Sequence, residues 1–140
     1  MLTAQSWRLF FVVVDDPIGV QDLIGVNLTT LGTVNTFSWL SADHRRHGIS
    51  HQMRSATLHL AFDGLAASEA SSEAFLDNHG SNAISRELGY GTNAVEWATR
   101  QGNLALMNRW RLPRNTWAPQ RRGNIQLRGV EPYRTLLPRL

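Results

Sequence analysis

With 140 residues, 42% of them hydrophobic and 18% charged, the chain has the length and composition of one folded domain and not of a disordered or fibrous protein. It contains no cysteine, which excludes disulfides, thiolate metal sites and a cysteine nucleophile, and makes the cytoplasm the expected address. The formal net charge is only +3, but all fourteen basic side chains are arginine, and from Arg100 onward nine of them face the single acid Glu131, a local field suited to phosphate or an acidic partner.

In chain order, residues 7–14 (WRLFFVVV) are aromatic and β-branched and end at Asp15-Asp16-Pro17, which predicts a strand. The apolar part of that run is too short for a signal-peptide core or a membrane span, so no membrane partner is expected. Residues 18–27 (IGVQDLIGVN) alternate loosely and predict a second strand paired back on the first, and residues 31–40 (LGTVNTFSWL) a third. After a loop at 41–47, Ile49, Met53, Ala56 and Leu60 recur at helical spacing and predict a helix of about four turns whose core stripe they form, with Gly64 as its stop. Residues 66–75 are expected to form a strand because they lie between two helices, the second running from His79 to Leu88 with Ile84 and Leu88 inward and Gly89 at the left-handed C-terminal position. Two strands at 93–100 and 104–112, joined by Gln101-Gly102-Asn103, read as a hairpin. Beyond Pro113 a further short strand is expected at 124–127, with the rest wrapping the surface. The order of three antiparallel strands, helix, strand, helix and hairpin predicts an α+β (mixed α/β) domain. Its mixed, mostly antiparallel sheet would carry a central β-α-β-α crossover, with parts 1–40, 41–90 and 91–140 as meander, core and tail.

The sharpest local feature is Arg45-Arg46-His47-Gly48-Ile49-Ser50, between a strand and the start of a helix. Free N–H groups at a helix N-terminus, the helix dipole and a glycine that admits close approach form an anion cradle, to which the two arginines and His47 add charge. Thirty residues on stands Asn78-His79-Gly80-Ser81, followed through Ser85 by Leu88-Gly89-Tyr90.

Together these motifs resemble those of the GNAT superfamily of N-acetyltransferases. Arg45-x-x-Gly48-x-Ser50 is similar to the superfamily's loop for the pyrophosphate of acetyl-CoA, with serine in place of the final small residue. Asn78, Ser81 and the Leu88-Gly89-Tyr90 ending, preceded by the Ser38-Trp39-Leu40 strand end, resemble the branch of ribosomal-protein N-acetyltransferases (RimJ/RimL type). The resemblance spans about residues 7–112. It implies acetyl-CoA as cosubstrate, held by Trp39, Leu40, Arg45, Arg46, His47, Gly48, Ile49, Ser50, Asn78 and Ser81. It also implies a parallel strand pair that splays open, where the pantetheine arm adds like a strand and an N–H near Trp39 polarises the thioester carbonyl. The acceptor would be a primary amine, on a protein N-terminus or a small molecule. The family position for a tyrosine acid holds Ser85, which becomes the candidate acid or thiolate hydrogen-bond donor, although serine is a poor acid at neutral pH.

For the base, Glu69, Glu73 and Asp22 are candidates, against the ordinary reading of each as a solvated carboxylate. His44, His47 and His51 have spacings that suit a metal, yet Arg45 and Arg46 would repel a cation and no metal is expected. Relatives usually begin with another strand and one or two helices, and this chain enters at what resembles their second strand. Its first strand then has an edge that residues 1–6, the arginine-rich tail or a second copy in a homodimer would cover. Two other readings stand beside the acetyltransferase: an idle acyl-CoA-binding module, and a nucleic-acid binder using Arg109, Trp110 and Arg111 as a stacking face, the less favoured of the two.

Overall fold

The computed structural model describes residues 6–12, 19–26, 32–40 and 49–131, with side chains at 23–25, 32–36 and 51–131. Strands β1 (Ser6–Val12), β2 (Gly19–Val26) and β3 (Thr33–Leu40) form the antiparallel meander expected, each within two residues of its expected ends. Leu23 stands opposite both Leu9 and Thr36, so the meander's register sends Leu23, like Val34 and Thr36, into the core.

Helix α1 (Ile49–His59) continues without a break into a π-helical turn, Leu60–Gly64. Its buried face differs from the expected stripe. Ala56 is exposed, and Met53, Arg54, Ser55, Thr57, Leu58 and His59 are buried. Periodicity failed here because the helix is covered from two sides, by the sheet and by the later segment containing Trp117 and Arg122. Gln52 and Ala56, one turn apart, form its outward stripe.

Strand β4 (Glu69–Phe75) starts three residues later than expected, because Ala66 takes a left-handed φ of 57° and turns the chain. Its inward residues Ala70, Ser72 and Ala74 are small and buried. Helix α2 (His79–Glu87) ends as expected: Leu88 enters the core, and Gly89 has a φ of +87°. A Cβ there would lie 2.7 Å from the Gln120 Nε2 that bonds Leu88 O.

Strands β5 (Gly91–Arg100) and β6 (Asn103–Pro113) meet at Gln101 and Gly102, with φ of 52° and 81°, a primed hairpin turn. Where only surface wrapping was expected, a short helix α3 (Arg114–Trp117) and a 3-10 turn (Ala118–Gln120) follow. Residues 124–127 are irregular and not the strand expected; Leu127 lies against Gly64 of the π-helical turn and so packs beside the helix instead of pairing with the sheet edge. Trp117 is buried, with its ring stacked on Phe62 at 4.8 Å and edge-on to His59 at 5.0 Å.

The sheet runs β1-β2-β3-β4-β6-β5, antiparallel except between β3 and β4, which is the mixed architecture read from the element order. Leu23, Val34, Leu58, Phe62, Trp110 and Leu112 contribute to one apolar cluster between the sheet and the helices. Among the described residues no helix is long and apolar enough to cross a membrane.

Candidate active site

The central irregularity of the sheet lies between β3 and β4. These neighbours pair over three positions only, Thr33 with Glu69, Val34 with Ala70 and Asn35 with Ser71. Beyond them β3 continues to Leu40 against β2, and β4 continues to Phe75 against β6, so 36–40 and 72–75 part like the arms of a fork. Backbone N–H and C=O groups left facing such a gap are those that an added extended chain can pair with. Trp39 and Leu40 lie on the outer part of one arm, paired with Val20 and Gly19 of β2.

The apex of the fork is pinned by side chains. Thr36, the first β3 residue past the paired segment, is buried and donates its hydroxyl to Ser71 O at 2.9 Å. That leaves its oxygen to accept from the Tyr90 hydroxyl, 3.1 Å away. The Leu88-Gly89-Tyr90 sequence therefore has a mechanical reading: a core anchor, a left-handed turn, and a phenol that closes the fork.

Helix α1 begins at Ile49 and Ser50, so its first free N–H groups lie just after the proposed anion loop. Arg45, Arg46, His47 and Gly48 lie outside the described residues. Asn78 caps α2, its Oδ1 accepting from the Ser81 N–H at 3.2 Å, so the Asn-x-x-Ser spacing is at least an N-cap. Both residues are on the outer turn of α2, and Asn78 is exposed.

Ser85 is completely buried, and its Oγ accepts from Arg54 Nη1 at 3.2 Å across the seam between α1 and α2. Arg54 is itself buried, lies over the Tyr90 ring at 5.6 Å, and has an Nε with no hydrogen-bond partner among the described residues. The sequence reading overlooked this arginine. Its signal was its position four residues before Leu58 and next to Met53, on the face that the fold buries.

On the opposite face of the sheet, Glu69 is held by Arg111 through two bonds of 2.7 and 2.6 Å. Arg109 is engaged by Glu96, and its other nitrogen is 4.0 Å from Glu73. Glu73, with 32% of its side chain exposed, accepts from Asn35 Nδ2 at 3.3 Å. Two arginines thus serve three carboxylates, and Glu73 keeps the weakest share, two residues beyond the apex on the β4 arm. The Asp22 side chain lies outside the described residues.

No protein-family model matches the sequence. Solved structures do match. Spermidine N-acetyltransferase from Vibrio cholerae, in complex with CoA and spermine, superposes with a TM-score of 0.69 at 14% identity over 81% of this chain and 68% of that one. Ribosomal-protein-S5-alanine acetyltransferase from Vibrio fischeri gives 0.71 at 17% identity, over 79% and 63%. Mycobacterium smegmatis RimJ, in complex with CoA-disulfide, gives 0.72 at 15%, over 77% and 54%. The fold is that of the GNAT N-acetyltransferases. The chain spans between 54% and 68% of the length of these three proteins.

Within the GNAT fold the arginine-rich β6 has an ordinary structural use. Strand alternation turns Trp110 into the core, with the exposed Arg86 covering it at 5.6 Å from its ring centre, while Arg109 and Arg111 point to the other face and pair with glutamates. The Arg–Trp–Arg stacking surface on which the less favoured nucleic-acid reading depends is therefore not formed. Of the histidine trio, only His51 falls in the described region, with its Nε2 3.9 Å from Glu87 Oε2. His59 is buried and His79 is exposed.

Proposed function

We propose that this chain binds acetyl-CoA in the fork between β3 and β4 and transfers its acetyl group directly to a primary amine. The observation that carries the reading is the confinement of β3–β4 pairing to three positions, in a fold shared with acetyltransferases whose solved complexes contain CoA or CoA-disulfide. The pantetheine arm, with its amides, suits the unpaired backbone of the arms at 36–40 and 72–75. Its pyrophosphate suits the start of α1 with Arg45, Arg46, His47, Gly48, Ile49 and Ser50, while Trp39 and Leu40 flank the arm and Asn78 and Ser81 bound the far side.

The amine must lose its proton to attack the thioester carbon. Glu73 is the group assigned to accept it, in preference to Glu69, because Glu69 is occupied by a bidentate arginine and Glu73 is not. A β3 N–H near Trp39 would support the carbonyl oxygen as the C–N bond forms. Ser85 would donate a hydrogen bond to the sulfur as the C–S bond breaks. The acceptor is a cationic amine in its resting form, attracted by the surplus carboxylate on that face. The names of the matching structures, which include a spermidine and a ribosomal-protein alanine acetyltransferase, favour a polyamine or a protein N-terminus.

Titration calorimetry with acetyl-CoA, on the wild type and on Gly48→Glu, tests the binding half. Micromolar binding to the wild type, lost on substitution, supports it; absence of wild-type binding or an indifferent substitution refutes it. Acetylation of spermidine or of an alanine-first peptide tests the transfer half, and binding without turnover would instead identify an acyl-CoA-binding module.

A further inference from the structure

An arginine buried to 2% exposure, with no carboxylate as partner among the described residues and an unpaired Nε, is costly unless its charge is used. Among the described residues its one side-chain hydrogen bond goes to the hydroxyl oxygen of Ser85, which is itself buried. We propose that Arg54 is a positioning residue for the acetyl transfer: its buried guanidinium, acting through the Ser85 hydroxyl, holds the sulfur of the departing coenzyme as a thiolate. The proposal rests on the coenzyme reading above.

A serine by itself is a poor acid, but a proton need not be transferred here. Arg54 Nη1 occupies a lone pair of Ser85 Oγ and fixes the hydroxyl, whose hydrogen has no acceptor among the described residues. A hydroxyl that accepts from a cation donates more strongly, and burial of both groups strengthens the effect of the charge relative to water. Arg54 lies over Tyr90, and Tyr90 pins Thr36 at the apex, so charge and hydroxyl are anchored where the fork narrows. The chemistry then balances simply. The ammonium gives its first proton to Glu73, which passes it to water, and the neutral amine nitrogen bonds to the acetyl carbon. The C–S pair leaves with sulfur, the second N–H proton goes to the freed Glu73 carboxylate, and the thiolate departs held by Ser85 and Arg54 until it meets water.

Such a site favours the thiolate of free CoA over its thiol, so the bound thiol titrates lower than the free one. The affinity gained is full above the free thiol's value, near pH 8.5 for a cysteine-like thiol, and is lost as pH falls through the lower, bound value. Acetyl-CoA has no thiol and serves as the reference. The other ionisable groups along the seam among the described residues, Tyr90 and the His51–Glu87 pair, act on both ligands alike and cancel in the ratio.

The experiment is calorimetric titration of CoA and acetyl-CoA between pH 6.5 and 9 on the wild type, Arg54→Met, Arg54→Lys and Ser85→Ala. In the wild type the affinity of CoA relative to acetyl-CoA should rise about tenfold or more across the range. In Arg54→Met and Ser85→Ala it should stay within about twofold, with part of the rise restored in Arg54→Lys. Should Arg54→Met fail to fold, Ser85→Ala, which removes one hydroxyl, decides the same ratio. If both ligands bind the wild type with a flat ratio, or if the rise survives in Ser85→Ala, the proposal is overturned and the coenzyme reading stands. If neither ligand binds, both fall together.

Discussion

The indole Nε1–H of Trp110 donates to Oδ1 of Asn82 at 2.9 Å, in the buried space between β6 and α2. The same amide accepts from Asn108 Nδ2 and donates from its nitrogen to Phe75 O and Asn78 O, so one side chain ties α2 to the end of β4 and the middle of β6. Asn82→Ala strands the indole N–H and should cost about 3 kcal/mol in urea denaturation. Combined with Trp110→Phe it should cost less than the sum, by about 1 kcal/mol. Additive costs would mean that the bond contributes nothing.

Glu73 and Glu69 share a face of β4 but differ in their arginines. At neutral pH, Glu73→Gln should lower kcat/KM for propylamine by about a hundredfold or more and leave acetyl-CoA affinity unchanged. Glu69→Gln, which releases Arg111 only, should stay within about threefold of the wild type. Equal effects in initial-rate assays would remove Glu73 from its proposed role.

His59 links α1 to the segment after α3. The Arg122 N–H donates to its Nε2 at 2.9 Å, which leaves the ring's hydrogen on Nδ1 to donate to Ser55 O at 3.0 Å. His59→Phe keeps an aromatic ring against Trp117 but leaves the Arg122 N–H unpaired, at a cost of about 1–2 kcal/mol. Amide exchange at Arg122 should accelerate well before exchange in β4 does.

Asp77, just after β4, takes two hydrogen bonds from Arg100 at the end of β5, of 2.8 and 3.0 Å. Those bonds, and to a smaller degree the arginine's charge, hold its carboxyl below the ordinary value. A depressed folded value means that the contribution is present above about pH 4 and is lost as pH falls through the lower, folded value. The pair is exposed, so the effect is small. Thermal melts of Asp77→Asn should lose a slight part of the wild type's drop below pH 4 and match its slope above pH 5.

Local chemistry made β1, β2, β3, both main helices and the hairpin legible, because Gly89, Gly102 and the β-branched runs act within a few residues of themselves, whereas β4, built of small and polar residues, was legible only from its place between two helices. The α1 stripe was misread for a non-local reason: the segment around Trp117 covers a second side, which no periodicity within the helix announces. Arg54 was passed over on the same ground, since an arginine in a helix is ordinarily solvated. The motif residues Asn78 and Tyr90 were found through family likeness, and the structure adds what they do locally, one as a cap and the other as the pin of the fork. Residues Arg45, Arg46, His47 and Gly48 rest on the sequence alone.

The central claim is that the coenzyme fills the gap between β3 and β4 as an added strand. Amide hydrogen exchange with and without acetyl-CoA tests it most directly. Slowed exchange confined to 36–40, 72–75 and the first turn of α1 is the predicted result. Binding that leaves those amides unchanged and protects another surface would contradict it.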